Sequence, residues 1–178
     1  LKSGKPKDDP ASYRPISLTS TFSKLMQKMV KTRLCTHLES KGLYSDSQSG
    51  CRANHSCEDN LTRLESDIRI AQSRKHYVTA VFLDLSAAFD KMWADGAIKT
   101  LIELGIKGWM LIWLNQFLRD RKFKVNFQGA QSQTKQAING CPQGSVLSPI
   151  LFSLFMNNLN DKINKLNNER NTNSEKVK

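Results

Sequence analysis

The sequence predicts an α+β fold, a helical lobe beside a small sheet. Three observations carry that expectation. Helical periodicity crowds the first 76 residues. A short apolar run at Tyr77–Asp84 and an alternating run at Phe123–Phe127 read as strands. Helical and strand-like segments then mix through the second half, as they do when helices pack to one side of a sheet.

Residues 1–18 are rich in Pro and Lys and read as an extended leading segment. From Thr19 to Lys41, Phe22, Leu25, Met26, Met29, Val30, Leu34 and Leu38 recur at helical spacing, with Gly42 as the stop. Residues 43–55 form a loop. Ser56 with Asp59 three residues on has the form of a capping box, opening a second helix through Leu61, Leu64, Ile68 and Ala71. Tyr77–Asp84 reads as a buried strand. Asp95 and Gly96 begin a further helix that places Ile98, Leu101, Ile102 and Leu104 inside and ends at Gly105. Trp109–Leu118 is apolar enough for a largely buried helix. Phe123, Val125 and Phe127 alternate with polar residues, and Gln128-Gly129 turns the chain into a partner strand ending near Ile138. A Gly- and Pro-rich loop, GCPQGS, follows at 140–145. Ser148-Pro149 then starts a helix, proline being suited to the first helical position. Residues 161–178 form a polar tail, expected to be disordered.

The 178 residues suffice for one domain or two small lobes. Lys and Arg number 27 against 16 Asp and Glu, a net charge of +11. The excess is spread evenly: 14 basic and 8 acidic residues up to residue 80, then 13 and 8. Such a field suits a polyanion, nucleic acid above all, or is simply a soluble basic surface. Cys35, Cys51, Cys57 and Cys141 make no C-x-x-C pair, and Cys51, His55 and Cys57, though close, lack the spacing of a metal site. Free thiols and an intracellular location are the expectation. No apolar run approaches the ~20 residues of a membrane span.

VFLDLSAAFD, residues 81–90, raises the chemical question. A carboxylate at the end of an apolar strand is costly unless a cation holds it. Asp84 could cap a helix or pair with a neighbouring Lys. Beside a basic surface it also suits Mg²⁺, which takes hard oxygen ligands and is commonly shared between carboxylates and substrate phosphates. Phe89, five residues on, is either core packing or a ring placed against a nucleotide sugar, where bulk excludes a 2′-hydroxyl. The glycines of the 140–145 loop permit close backbone approach.

YRPISL (13–18), SGCR (49–52), FLDLSAAFD (82–90) and GCPQGSVLSPILF (140–152), in that order, resemble reverse transcriptases of non-LTR, LINE-type retrotransposons, jockey-like elements in particular. The resemblance covers nearly the whole chain. It implies a right-hand polymerase fold, with residues 1–76 as mostly helical fingers and 77–160 as partial palm. It also implies Mg²⁺, an RNA template, a DNA primer and deoxynucleotide triphosphates as partners, no membrane, and a nuclear and cytoplasmic setting. By the resemblance Asp84 is the first catalytic aspartate, and Leu85 lends its backbone carbonyl to the metal. Phe89 gates against ribonucleotides, and Asp90 is a structural second aspartate. Arg14, Lys24 and Arg52 are basic finger positions near the incoming nucleotide; Gln143 and Gly144 belong to the loop that meets nucleotide and template. Cys51 stands where the family usually has Phe, and Asn158 where Asp is common. The family's Asp-Asp hairpin and thumb have no counterpart here: beyond Asp95 the acidic residues are Glu103, Asp120, Asp161, Glu169 and Glu175, none adjacent. The expectation is therefore an RNA-directed DNA polymerase fragment, inactive alone. The alternatives are a nucleic-acid-binding remnant without chemistry, and an unrelated Mg²⁺ phosphohydrolase built on Asp84.

Overall fold

The computed structural model describes residues 1–175, and beyond residue 157 the side chains of Leu159, Lys162, Ile163, Lys165 and Leu166 only. After a 3₁₀ turn at Pro10–Ser12, the chain forms α1 (Thr21–Ser40), α2 (Cys57–Ser73), α3 (Ala88–Lys91), α4 (Ala94–Glu103) and α5 (Gly108–Leu118). Four short strands follow, β1 (Arg121–Phe123), β2 (Asn126–Phe127), β3 (Ala130–Gln131) and β4 (Lys135–Ala137), and then α6 (Ser148–Glu175).

Local chemistry accounts for most boundaries. Ser20 caps α1 by accepting from the Ser23 amide. Ser56 and Asp59 form the capping box of α2, each side chain accepting from the other's backbone region. Gln128 and Gly129, at φ of +50° and +82°, make the two-residue turn that pairs Phe127 with Ala130. Beyond a break at 124–125, Arg121–Phe123 pairs with Lys135–Ala137, so the expected hairpin forms as two short antiparallel ribbons.

The core is helical. Val30, Leu34 and Leu38 of α1 meet Ala94, Ala97 and Leu101 of α4, Leu114 and Leu118 of α5, and Leu147, Ile150, Leu151 and Leu154 around the start of α6. Met92 and Cys141 close it from the loops. The ribbons lie outside it, almost wholly exposed.

Several expectations need correction. Tyr77–Asp84 is not a buried strand. Residues 76–85 form neither helix nor paired strand, and Tyr77, Val81, Phe82 and Leu83 are exposed. An extended apolar run becomes a strand only when another backbone takes its N–H and C=O groups. No described segment does so. The apolar stripe of α1 is only half buried, since Phe22, Leu25, Met26 and Met29 face outward. Helix α2 buries none of its residues; a Ser49 hydroxyl on Asn60 and an Arg63 guanidinium on the Asp46 carbonyl tie it down. In α4, Leu101 is buried but Ile102 is exposed. Helix α5 buries Leu114 and Leu118 and leaves Trp109 and Ile112 out. Helix α6 continues to Glu175, past residue 161, where composition alone suggests a tail without structure.

Candidate nucleotide and nucleic-acid site

Two docking points bring three of the four motif segments together. The first joins the 139–141 loop to the chain just beyond Asp84. The Gly140 amide donates to the Met92 carbonyl at 2.7 Å, and the Cys141 amide to the Phe89 carbonyl at 2.8 Å. The approach is so close that a Cβ on Gly140 would lie 2.6 Å from the Asp90 carbonyl oxygen and 2.8 Å from that of Phe89. Gly140 also has φ +85°, a backbone state that side chains disfavour. Arg121, half-buried in β1, braces the loop: its guanidinium donates to the Leu118, Asn139 and Gly140 carbonyls. Burial lowers the Arg121 pKa, with Cys141 and Asp90 pulling the other way. Burial raises that of the Cys141 thiol, against a hydrogen bond with Ser148 and the charge of Arg121.

The second point joins the 143–146 loop to the leading segment and α1. The Ser17 amide donates to the Gln143 carbonyl at 2.7 Å, and a Cβ on Gly144 would lie 3.4 Å from Ile16. Gln27, wholly buried on α1, accepts from the Ser145 hydroxyl and the Val146 amide.

The sequence-derived residues distribute unevenly around these points. Gln143 is half-buried and Gly144 exposed, both in the loop that meets Ser17. Arg14 is exposed three residues before Ser17, and Lys24 is exposed on the first turn of α1. Asp84 and Leu85 are exposed on the extended run, and Ala87, in the left-handed region at φ +54°, turns that run into α3. The Phe89 ring is half-buried and lies 5.4 Å from that of Phe152, so core packing holds it.

Arg52 stands elsewhere. Its guanidinium bridges both carboxylate oxygens of Glu39, at 3.3 and 3.1 Å, donates to the Ser45 and Gln48 carbonyls, and lies over the Tyr44 ring. It pins the 45–52 loop to the end of α1. The side chain of Asn158 lies outside those described.

Gln27 and Arg121 are the residues that sequence reasoning missed; Gly140 is one of the loop glycines expected to permit close backbone approach, and it makes that approach. A polar side chain in the buried stripe Gln27–Val30–Leu34–Leu38 was the available signal for the first.

The profile of the reverse transcriptase (RNA-dependent DNA polymerase) family matches residues 5–173. This chain belongs to the reverse transcriptase family. It is 39% identical over 154 residues to a probable RNA-directed DNA polymerase from transposon BS of Drosophila melanogaster, covering 86% of this chain and 17% of that protein. It is 35% identical over 158 residues to the probable RNA-directed DNA polymerase from transposon X-element of the same fly, covering 89% and 17%. It is 34% identical, over equal coverage, to the RNA-directed DNA polymerase from mobile element jockey. The chain thus spans about 17% of the length of these relatives.

Reverse transcriptases generally use divalent metal ions. Among the described residues no group of three or more His, Cys, Asp or Glu side chains could hold one. Asp84 alone does not fit a metal centre of that kind. No described helix is long and apolar enough to cross a membrane.

Proposed function

We propose that these residues are the fingers (1–76) and part of the palm (77–160) of an RNA-directed DNA polymerase of a non-LTR retrotransposon. The observation that carries the reading is the convergence of three of the four motif segments. The loop of Gly140–Val146 docks at once on Phe89–Met92, on Ser17 and on α1. Family membership supports it, and the net charge of +11 suits a phosphate backbone.

In this reading Gln143 and Gly144 meet the nascent base pair, where a glycine lets a flat base approach the backbone. Arg14 and Lys24, both exposed, face phosphates of the deoxynucleotide triphosphate. Arg52, held by Glu39 and Tyr44, shapes the fingers rather than touching the nucleotide. The Phe89 ring is seated by the core, and its open edge excludes a 2′-hydroxyl. Asp84 and the Leu85 carbonyl supply part of a metal site whose other ligands are not among the described residues. On their own, therefore, these 178 residues bind an RNA template and DNA primer but do not extend the primer.

The test is binding of an RNA/DNA primer–template by fluorescence anisotropy across salt concentrations. Lys and Arg displace condensed counterions, so the logarithm of affinity should fall linearly with the logarithm of salt. Affinity that ignores salt, or no binding at low salt, overturns the reading.

A further inference from the structure

We propose that Gln27 is the positioning residue of the 143–147 loop, setting where Gln143 and Gly144 stand against the leading segment. This rests on the reading above, in which that loop meets nucleotide and template. Gln27 heads the buried stripe of α1, where every later member is aliphatic. A polar amide there is tolerable only if its hydrogen-bonding groups are met.

The loop meets the accepting oxygen, and Ser23 of the same helix meets the donor. The Gln27 Oε1 accepts from Ser145 Oγ at 2.8 Å and from the Val146 amide at 3.3 Å, while Nε2 donates to Ser23 Oγ at 3.0 Å. The Val146 N–H can only donate, which forces the amide oxygen toward the loop. The Ser145 hydroxyl, its proton directed at Gln27, presents a lone pair to the Leu147 amide at 3.1 Å. One side-chain amide therefore orients two consecutive backbone amides at the foot of α6.

On the other side the Gln143 carbonyl is held by the Ser17 amide. Gln143 and Gly144 hang between these two anchors, Gly144 at φ +98° and open to solvent. Gln27 itself has no exposure, so it acts only through the loop.

The experiment uses the full 178-residue chain and two readouts: amide hydrogen exchange of the 143–147 segment, and affinity for an RNA/DNA primer–template at two salt concentrations. In Gln27→Leu, exchange at Val146 and Leu147 should quicken by about ten-fold, the equivalent of one hydrogen bond. Exchange at Leu34 and Leu38 should stay unchanged. Affinity should fall several-fold with an unchanged salt slope, because no phosphate-facing charge is lost. Gln27→Met matches the glutamine in volume but has no amide oxygen, so exchange should stay as fast as in Gln27→Leu; slow exchange restored by Met would mean that packing alone holds the loop. If Gln27→Leu does not fold, Ser145→Ala carries the test: Leu147 loses its partner and should exchange faster while Val146 does so less.

Unchanged exchange at 143–147 in both the Leu and the Ala variants overturns the positioning role. Faster exchange with unchanged affinity, while the parent chain binds, overturns the claim that the positioned loop serves nucleic acid. Failure of the parent chain to bind at low salt is the distinct failure of the underlying reading.

Discussion

Replacing Gly140 by alanine attacks the first docking point where it has least room. A Cβ at this position would sit 2.6 Å from the Asp90 carbonyl oxygen and 2.9 Å from its carbon, both backbone atoms that no rotamer change can move away. The residue's φ of +85° adds about 1–2 kcal/mol for any side chain held in the left-handed region. Relief requires the loop to withdraw, which breaks the Gly140–Met92 and Cys141–Phe89 hydrogen bonds at about 1 kcal/mol each. The sum is about 3–4 kcal/mol, a large share of the stability of a domain this size. Gly129→Ala is the control: its φ is +82°, but nothing lies within 4 Å of the added carbon, so only the conformational cost of about 1–2 kcal/mol applies. Urea unfolding followed by tryptophan fluorescence compares the two. A Gly140 variant no less stable than the Gly129 variant would refute the close-docked loop.

Two further perturbations test other parts. Arg52→Ala removes a bidentate carboxylate pair, two carbonyl contacts and a stacked ring, and should cost about 2 kcal/mol in urea unfolding. Arg52→Lys should recover less than half, because an ammonium cannot reproduce the planar fork, and full recovery would contradict that geometry. Burial keeps the Cys141 thiol and the Tyr44 phenol protonated above their ordinary ranges. The unfolded chain releases its thiol protons from about pH 8.5, where the folded chain still holds that of Cys141. Stability is therefore intact below that pH and falls as pH rises above it. Urea midpoints should decline on the alkaline side, less steeply in Cys141→Ala; midpoints flat with pH would contradict the burial.

Features written in adjacent residues were legible in the sequence. The Ser56–Asp59 capping box, the Gln128-Gly129 turn and the Ser148-Pro149 helix start all depend on groups a few residues apart. Features that depend on a distant partner were not. The run Tyr77–Asp84 has the composition of a strand, but pairing is a property of two segments, and no second one is among the described residues. Periodicity located α1, but its Phe22–Met29 face and its Gln27–Leu38 face are offset, and tertiary contacts decide which of them is covered. In the site, Gln143 and Gly144 were reachable through family motifs. Gln27 is invisible to a count of apolar residues along α1, being the polar member of its buried stripe. The commitment of Arg52 to Glu39, 13 residues earlier, could not be seen before the loop was folded.

Asp84 is proposed to belong to a polymerase centre that these residues only partly supply. The direct measurement is primer extension on an RNA template. One arm uses this chain alone; the other transplants it into the matching region of the mobile element jockey polymerase, each with Asp84 and with Asp84→Asn. The chain alone should not extend the primer in either form, whereas the transplant should extend it and lose that extension with Asp84→Asn. Extension by the 178 residues alone, or a transplant that extends equally well with asparagine at position 84, would contradict it.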